Sequence, residues 1–521
     1  MSWAEENAAM LDALARTPGW SALEGRPDDD TLTAILDEAA RLAAAVIWPQ
    51  DAQGDRIGAR LADGRVTLPP GSRDAFAALA DGGWLALELP EALGGAGLPL
   101  AVFAAVNPAF ERASPALMMA AGSTRAAARL LAEHGDLETR DDWVPALAAG
   151  ERTATICISE PGAGSDVGRI RTRAVRTPDG WRIGGEKIWI SFGDHDLTER
   201  IGHCVLARST DAPGTRGLSL FLVERGPGVT CTRIEEKMGL HASPTCALLF
   251  EDAPARLIGT EGRGLPQLFT MIRQMRLTVG TQGLGVALRC LAHSRAYAAE
   301  RCQGGPPDAP PVPIATHPDI RRQLDGLAAR IDLFRLALLE TAVLADLPGK
   351  DDARLCALTL PLVKTFGAEL ASDAAGTAMM VLGGAGYTRE HPVEQALRDA
   401  RVFAIYEGTT GMQAQDFLLR QALSAGGLKV FLSRARAECA ASPERLALLD
   451  VFAAFAEDLR AASRPAQLAA ADPAMRAGWV AVQAWLSMRL DDPRPFLATA
   501  PQRLALHMAE AWAAMSFEER S

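Results

Sequence analysis

A block of short β-prone runs lies between two blocks of helical periodicity, and few folds accept that order. From about residue 153 the runs at 155–159, 181–183, 187–191, 203–207, 218–223, 229–234 and 246–250 read as strands. Pro178-Asp179-Gly180 and Ala212-Pro213-Gly214 supply turns between them. Ahead of this block, Leu32, Ile35, Leu36, Leu42 and Val46 recur at helical spacing, with Asp30 placed to cap the segment and Pro49 to end it. Behind it, residues 271–297 form one long candidate helix, in which Gly280, Gly283 and Gly285 allow close approach of another helix or of a cofactor. Five prolines within 303–316 require a loop, and Pro443, Pro465, Pro473 and Pro493 break the alanine-rich tail into helices. The expected architecture is α+β: an N-terminal helical domain (1–150), a middle antiparallel, barrel-like β domain (151–264), a C-terminal helical bundle (265–425) and a helical extension (426–521).

Composition narrows the function. A hydrophobic fraction of 48% and a charged fraction of 22% over 521 residues are those of an ordinary globular chain with more than one folding unit. No secretory signal is expected from Met1-Ser2-Trp3-Ala4-Glu5-Glu6, and no uninterrupted apolar run reaches a membrane span. Eight scattered cysteines without a C-x-x-C pair point to a reducing cytoplasm rather than a disulfide framework. The eight histidines form no ligand pair, so no metal site is expected. A net charge of −11 argues against general nucleic-acid binding, and 426–521 carries eleven basic and eleven acidic residues.

Three segments carry chemistry. The first, Ile158-Ser159-Glu160-Pro161-Gly162-Ala163-Gly164-Ser165-Asp166, runs from a strand into a Gly/Ser loop able to turn amides and hydroxyls on one ligand; a plain turn explains the glycines equally well. In Lys187-Ile188-Trp189-Ile190-Ser191, an indole and a hydroxyl one pleat apart suit a planar cofactor, although a tryptophan in a sheet core is the commoner outcome. The third joins Val381-Leu382-Gly383-Gly384-Ala385-Gly386-Tyr387 to Ile405-Tyr406-Glu407-Gly408-Thr409-Thr410. Glu407 follows apolar residues, and burial strengthens a carboxylate as a base towards a weakly acidic C–H; a solvated glutamate at a helix end is the plainer alternative.

Together and in this order, the three segments resemble the acyl-CoA dehydrogenase family over roughly residues 30 to 425. The likeness is strongest to the long bacterial subgroup that includes 3-(methylthio)propanoyl-CoA dehydrogenases, through 193–199, 237–245 and 406–415. It implies an acyl-CoA dehydrogenase-like fold, FAD as cofactor, an acyl-CoA substrate and α,β-dehydrogenation with Glu407 as the base. By position it places Ile158, Ser159, Gly164, Ser165, Trp189, Ile190, Ser191, Arg301, Gly383, Gly384, Thr409 and Thr410 at the flavin. Ser165, Arg276, Tyr406, Glu407 and Gly408 would meet the substrate. His195 and His241 receive no chemical role. Electron-transfer flavoprotein is the implied electron acceptor, and a homodimer or homotetramer the implied assembly. Met380 stands where the family often has glutamine, and a proline-rich loop replaces an aromatic soon after Arg301, so FAD affinity or the dimer contact is expected to differ in detail. An acyl-CoA oxidase shares most of these residues. A DNA-associated flavoprotein on the same scaffold would need a basic C-terminal region.

Overall fold

The computed structural model describes residues 2–518, which group into two compact units. One contains residues 38–98 and 109–275; the other contains the described residues of 1–37, 99–108 and 276–521.

The first unit holds the strands. A hairpin, β1 (Arg60–Ala62) and β2 (Arg65–Thr67), precedes a seven-stranded sheet. Its strands are β3 (Arg152–Cys157), β4 (Arg173–Thr177), β5 (Gly180–Ser191), β6 (Arg200–Arg208), β7 (Leu218–Glu224), β8 (Val229–Ile234) and β9 (Thr245–Ile258). Pairing runs β6–β7–β9–β5–β4 and returns to β6 through Arg173 and Arg208, so the sheet closes on itself as a barrel. β3 lies parallel on β6 and β4 touches β6 in parallel, while every other pair is antiparallel. β6 is buried at each position from Ile201 to Ala207, which explains its continuous rather than alternating apolar pattern. The runs at 181–183 and 187–191 belong to one long strand, β5, and β4, too polar to be read from its sequence, pairs with it across Pro178-Asp179-Gly180. Trp143, Leu130, Leu131, Leu206, Leu220 and Met271 are among the residues of the unit's core.

Helix boundaries depart from expectation near residue 49. The helix α1 (Asp29–Leu42) passes through a π turn (Ala43–Ile47) into α2 (Trp48–Ile57). Pro49 occupies the first turn of α2, where its missing N–H is not needed, so it starts a helix instead of ending one. Asp28, not Asp30, accepts the capping bond, from the Thr31 amide at 2.7 Å. Further along, α3 (Pro115–His134) is buried along most of its length.

The second unit is helical. Its long members are α4 (Gly264–Glu300, from residue 276), α5 (Pro318–Asp346) and α6 (Lys350–Leu382). A Cβ on Gly283 would lie 2.2 Å from the Gly367 carbonyl oxygen, and one on Gly280 2.4 Å from Val363. These glycines therefore serve helix packing. Gly283→Ala is expected to cost about 1–3 kcal/mol through overpacking, checked by urea denaturation.

After the short helix α7 (Thr410–Gln415) the extension adds further helices, including α8 (Ala471–Leu486). Pro443, Pro465 and Pro473 lie in the first turns of helices, and Pro493 immediately precedes one. Trp479 of α8 stacks on Phe366 of α6, with centroids 4.8 Å apart and planes 7° from parallel. Arg476 reaches Glu369 at 2.7 Å and Arg489 reaches Glu340 at 2.7 Å. Among the described residues one helical segment, Lys350–Tyr387, is long and apolar enough to cross a membrane by length and composition, and 78% of its most apolar window is buried inside the chain.

Candidate active site

In the β unit two buried charges shape the first loop. β3 ends at Cys157, and the Lys187 side chain, fully buried, donates to Ile158 O (2.9 Å), Leu206 O (2.7 Å) and Glu160 Oε1 (2.8 Å). Glu160 also accepts from the amides of Arg171 (2.6 Å) and Thr172 (3.1 Å), closing the loop at its far end. The Ile188 amide donates to Ser159 O at 2.9 Å, which ties the two sequence segments together. Ile158 and Ser159 are half-buried; Gly164 and Ser165 are exposed, with open space around Gly164.

Trp189 is not a core residue. The pairing of β5 with β9 slips between Lys187 and Ile190, and in this bulge Trp189 takes a left-handed φ of +63° with its side chain 59% exposed. A bulky residue there carries strain of about 1–2 kcal/mol, a cost that persists where surroundings or function demand it. The bulge also replaces the regular pleat on which the indole and the Ser191 hydroxyl share a face. Ile190 is buried and Ser191 half-buried.

In the helical unit Glu407 lies between a 3-10 turn (Arg401–Ala404) and α7, with φ +55°; Gly408 follows with φ +93°. Two successive left-handed residues make a sharp turn whose carbonyls are held from behind. Gln413 Nε2 donates to Glu407 O at 2.8 Å, and Lys364 Nζ donates to Gly408 O at 2.7 Å. The Glu407 side chain keeps partial contact with solvent, yet burial among protein atoms pushes its carboxyl above the usual range; Arg276 and Lys364 oppose that rise. Arg276 is paired with Asp416 at 2.5 Å, and its Nε is buried without a hydrogen-bond partner. The Tyr406 hydroxyl donates to Gln282 Oε1. Ile405 is exposed although the apolar run suggested burial, whereas Phe403 is fully buried.

The other sequence candidates are spread. Thr409 is exposed and Thr410 half-buried at the start of α7. Gly383 (φ +61°) and Gly384 are exposed beyond α6, near the exposed Met380 and Tyr387. Arg301, just past α4, is exposed. His195 is fully buried between Thr153 Oγ1 (3.0 Å) and the Leu197 amide (3.1 Å), and burial lowers its pKa to about 3. His241 lies against Asp55 (2.8 Å) and Lys237 O (2.9 Å). Both histidines knit the unit together. No group of three or more metal-binding side chains occurs among the described residues.

The sequence alone does not single out Lys187, Glu160 or Lys364. Their available signal was a charge set among apolar neighbours, as Lys364 is after Leu360-Pro361-Leu362-Val363.

Three family models match in chain order: acyl-CoA dehydrogenase N-terminal domain at residues 29–151, middle domain at 155–253 and C-terminal domain at 262–421. The chain is 38% identical over 442 residues to 3-methylmercaptopropionyl-CoA dehydrogenase of Ruegeria pomeroyi, covering 80% of this chain and 75% of that protein. It belongs to the acyl-CoA dehydrogenase family. A broad-specificity linear acyl-CoA dehydrogenase, FadE5 of Mycobacterium tuberculosis, is 38% identical over 433 residues, covering 76% of this chain and 70% of that one. The glutaryl-coenzyme A dehydrogenase–glutaryl-CoA complex superposes with a TM-score of 0.68 at 26% identity, covering 76% of this chain and 96% of the other. Within this acyl-CoA dehydrogenase chain, the segment from Ile158 to Ser191 falls in the middle-domain match and Glu407 in the C-terminal-domain match.

Proposed function

We propose that this chain oxidises the Cα–Cβ bond of an acyl-CoA thioester to the 2-enoyl-CoA, with Glu407 removing the α-proton. The observation that carries the reading is Glu407 itself: a carboxyl with raised pKa, on a left-handed turn, followed by a glycine that lets a ligand approach the backbone. The cofactor is FAD, which when bound accepts the β-hydrogen as hydride. The β unit offers features that suit it: an exposed indole on a strained bulge, Ser191, and a stapled loop with open space at Gly164. Ile158, Ser159, Gly164, Ser165, Trp189, Ile190 and Ser191 would hold the flavin there; the family likeness also assigns Thr409, Thr410, Gly383, Gly384 and Arg301 to FAD. An α-proton beside a thioester becomes acidic only if its oxygen is held where enolate charge develops, and the Glu407 amide would donate that bond. Arg276, Tyr406, Gly408 and Ser165 would line the substrate. Arg301, exposed beyond its helix, would complete the FAD site of a neighbouring subunit in a homodimer or homotetramer.

3-(Methylthio)propanoyl-CoA leads as substrate because the R. pomeroyi relative is named for it, followed by short straight-chain acyl-CoAs; electron-transfer flavoprotein would accept the electrons. Anaerobic mixing of the yellow protein with an acyl-CoA panel should bleach the flavin with one of these thioesters, and no bleaching with any would overturn the reading.

Trp189→Gly separates support of the flavin from support of the fold. The glycine relieves the left-handed strain, so the apoprotein should melt no lower than wild type. FAD should bind about two- to tenfold more weakly for loss of stacking worth roughly 0.5–1.5 kcal/mol, read by fluorescence titration.

A further inference from the structure

We propose that Lys364 is a positioning residue for this reaction: it holds the Glu407–Gly408 turn through the Gly408 carbonyl and sets a positive charge behind the base. The inference rests on Glu407 being that base.

Lys364 lies inside α6 with none of its side chain exposed, flanked by the buried Leu360, Pro361, Leu362 and Val363. A buried ammonium is costly unless something at its head requires it. Its ammonium donates to Gly408 O at 2.7 Å, one peptide beyond the base. Gln413 supplies a second, neutral bond, from Nε2 to Glu407 O, so the turn is held by one charged and one uncharged side chain.

The charges around Glu407 are not equivalent. Arg276, on α4, faces it, but Asp416 binds Arg276 at 2.5 Å and Arg420 lies a further 3.9 Å from Asp416. Even so, Arg276 holds the Glu407 carboxyl down more than Lys364 does. Lys364, on α6, has no carboxylate in hydrogen-bond reach among the described residues, and it is the second cation that lowers Glu407. Burial lowers its pKa to about 8, against the pull of Glu407, and so it is protonated at neutral pH. The same burial raises Glu407, and Lys364 restrains that rise. Removing the cation should therefore move the Glu407 titration upward and narrow the pH range in which the base is available.

The test compares pH profiles of kcat/KM for FAD-loaded variants. Lys364→Met should lower kcat about tenfold or more near pH 6 and raise the acid limb by about one pH unit, one unit being a factor of ten in the protonation equilibrium. Gln413→Met, which loosens the turn without touching its charge, should lower kcat and leave the acid limb in place. Lys364→Arg should restore the limb. If the methionine variant does not accumulate folded, Lys364→Gln decides the matter, because it retains a donor for Gly408 O and lacks the charge. An acid limb at the wild-type position in the uncharged variants overturns the proposal, provided Glu407→Gln is inactive. An active Glu407→Gln enzyme instead overturns the base assignment, and with it this inference.

Discussion

Glu407→Gln is expected to lower kcat by about 10²–10⁴-fold, the range over which a positioned general base contributes, while FAD content stays at the wild-type level. Glutamine keeps the length of the side chain and the backbone amide of residue 407, so the turn held by Gln413 and Lys364 should survive. Stability provides an independent reading. The folded-state pKa of Glu407 lies above its unfolded value because burial disfavours the carboxylate. Above the unfolded pKa the unfolded chain therefore releases a proton that the native state holds more tightly, and the native state loses stability as pH rises. A neutral amide is free of this penalty. Glu407→Gln should thus melt at the same temperature as wild type or higher at pH 7, a pattern opposite to that of a structural glutamate. Unchanged turnover, or a marked fall in melting temperature, would contradict the assignment.

The second large effect is expected at Lys187 and Glu160. Either Lys187→Met or Glu160→Gln leaves one buried group without its partner, which costs about 3–5 kcal/mol in such pairs. Lys187 also loses its bonds to Ile158 O and Leu206 O, the contacts that hold the end of β3 against β6. Glu160 still has the Arg171 and Thr172 amides to satisfy, so Lys187→Met strands a carboxylate that remains partly bonded. The double variant should cost less than the sum of the two singles, because the groups act as one network. Equilibrium urea unfolding of the β unit's transition measures this, and FAD content should fall in parallel if the loop from Pro161 to Ile170 holds the flavin. Additive single costs below about 1 kcal/mol each would show a solvated, dispensable pair.

What the sequence disclosed follows from how local each cause was. The order of helix, sheet and helix was legible because periodicity and turn residues are local signals, and the family resemblance drew on segments whose residues sit close together in the chain. The barrel's strands β6 and β7 read correctly as apolar runs, yet β4 did not, since its alternate residues face solvent and its pairing with β5 decides its state. Pro49 reads locally as a stop; it is a helix start, a distinction that turns on the π turn before it. Asp28 takes the cap instead of Asp30 because helix ends shift by a residue or two when several capping side chains adjoin.

At the site, Glu407 could be singled out from its neighbours, but the left-handed turn beneath it could not, because one of the bonds to its carbonyls comes from Lys364, distant in sequence. Lys364 lies 43 positions away from Glu407 in sequence, and no local pattern joins the two. Trp189 shows the same limit: a regular strand would have given it a face in common with Ser191, whereas a bulge against β9 turns it outward. Gly280 and Gly283 allowed two explanations from the sequence; the closeness of Gly367 and Val363 selects helix packing.

The central claim, that Glu407 takes an α-proton from a thioester, is tested most directly by isotope exchange. FAD-loaded protein is incubated anaerobically in D₂O with 3-(methylthio)propanoyl-CoA or a short-chain acyl-CoA, and the recovered thioester is weighed by mass spectrometry. Wild type should introduce deuterium at the α-carbon, and Glu407→Gln should introduce none above the uncatalysed rate. Exchange by Glu407→Gln at the wild-type rate would contradict the account.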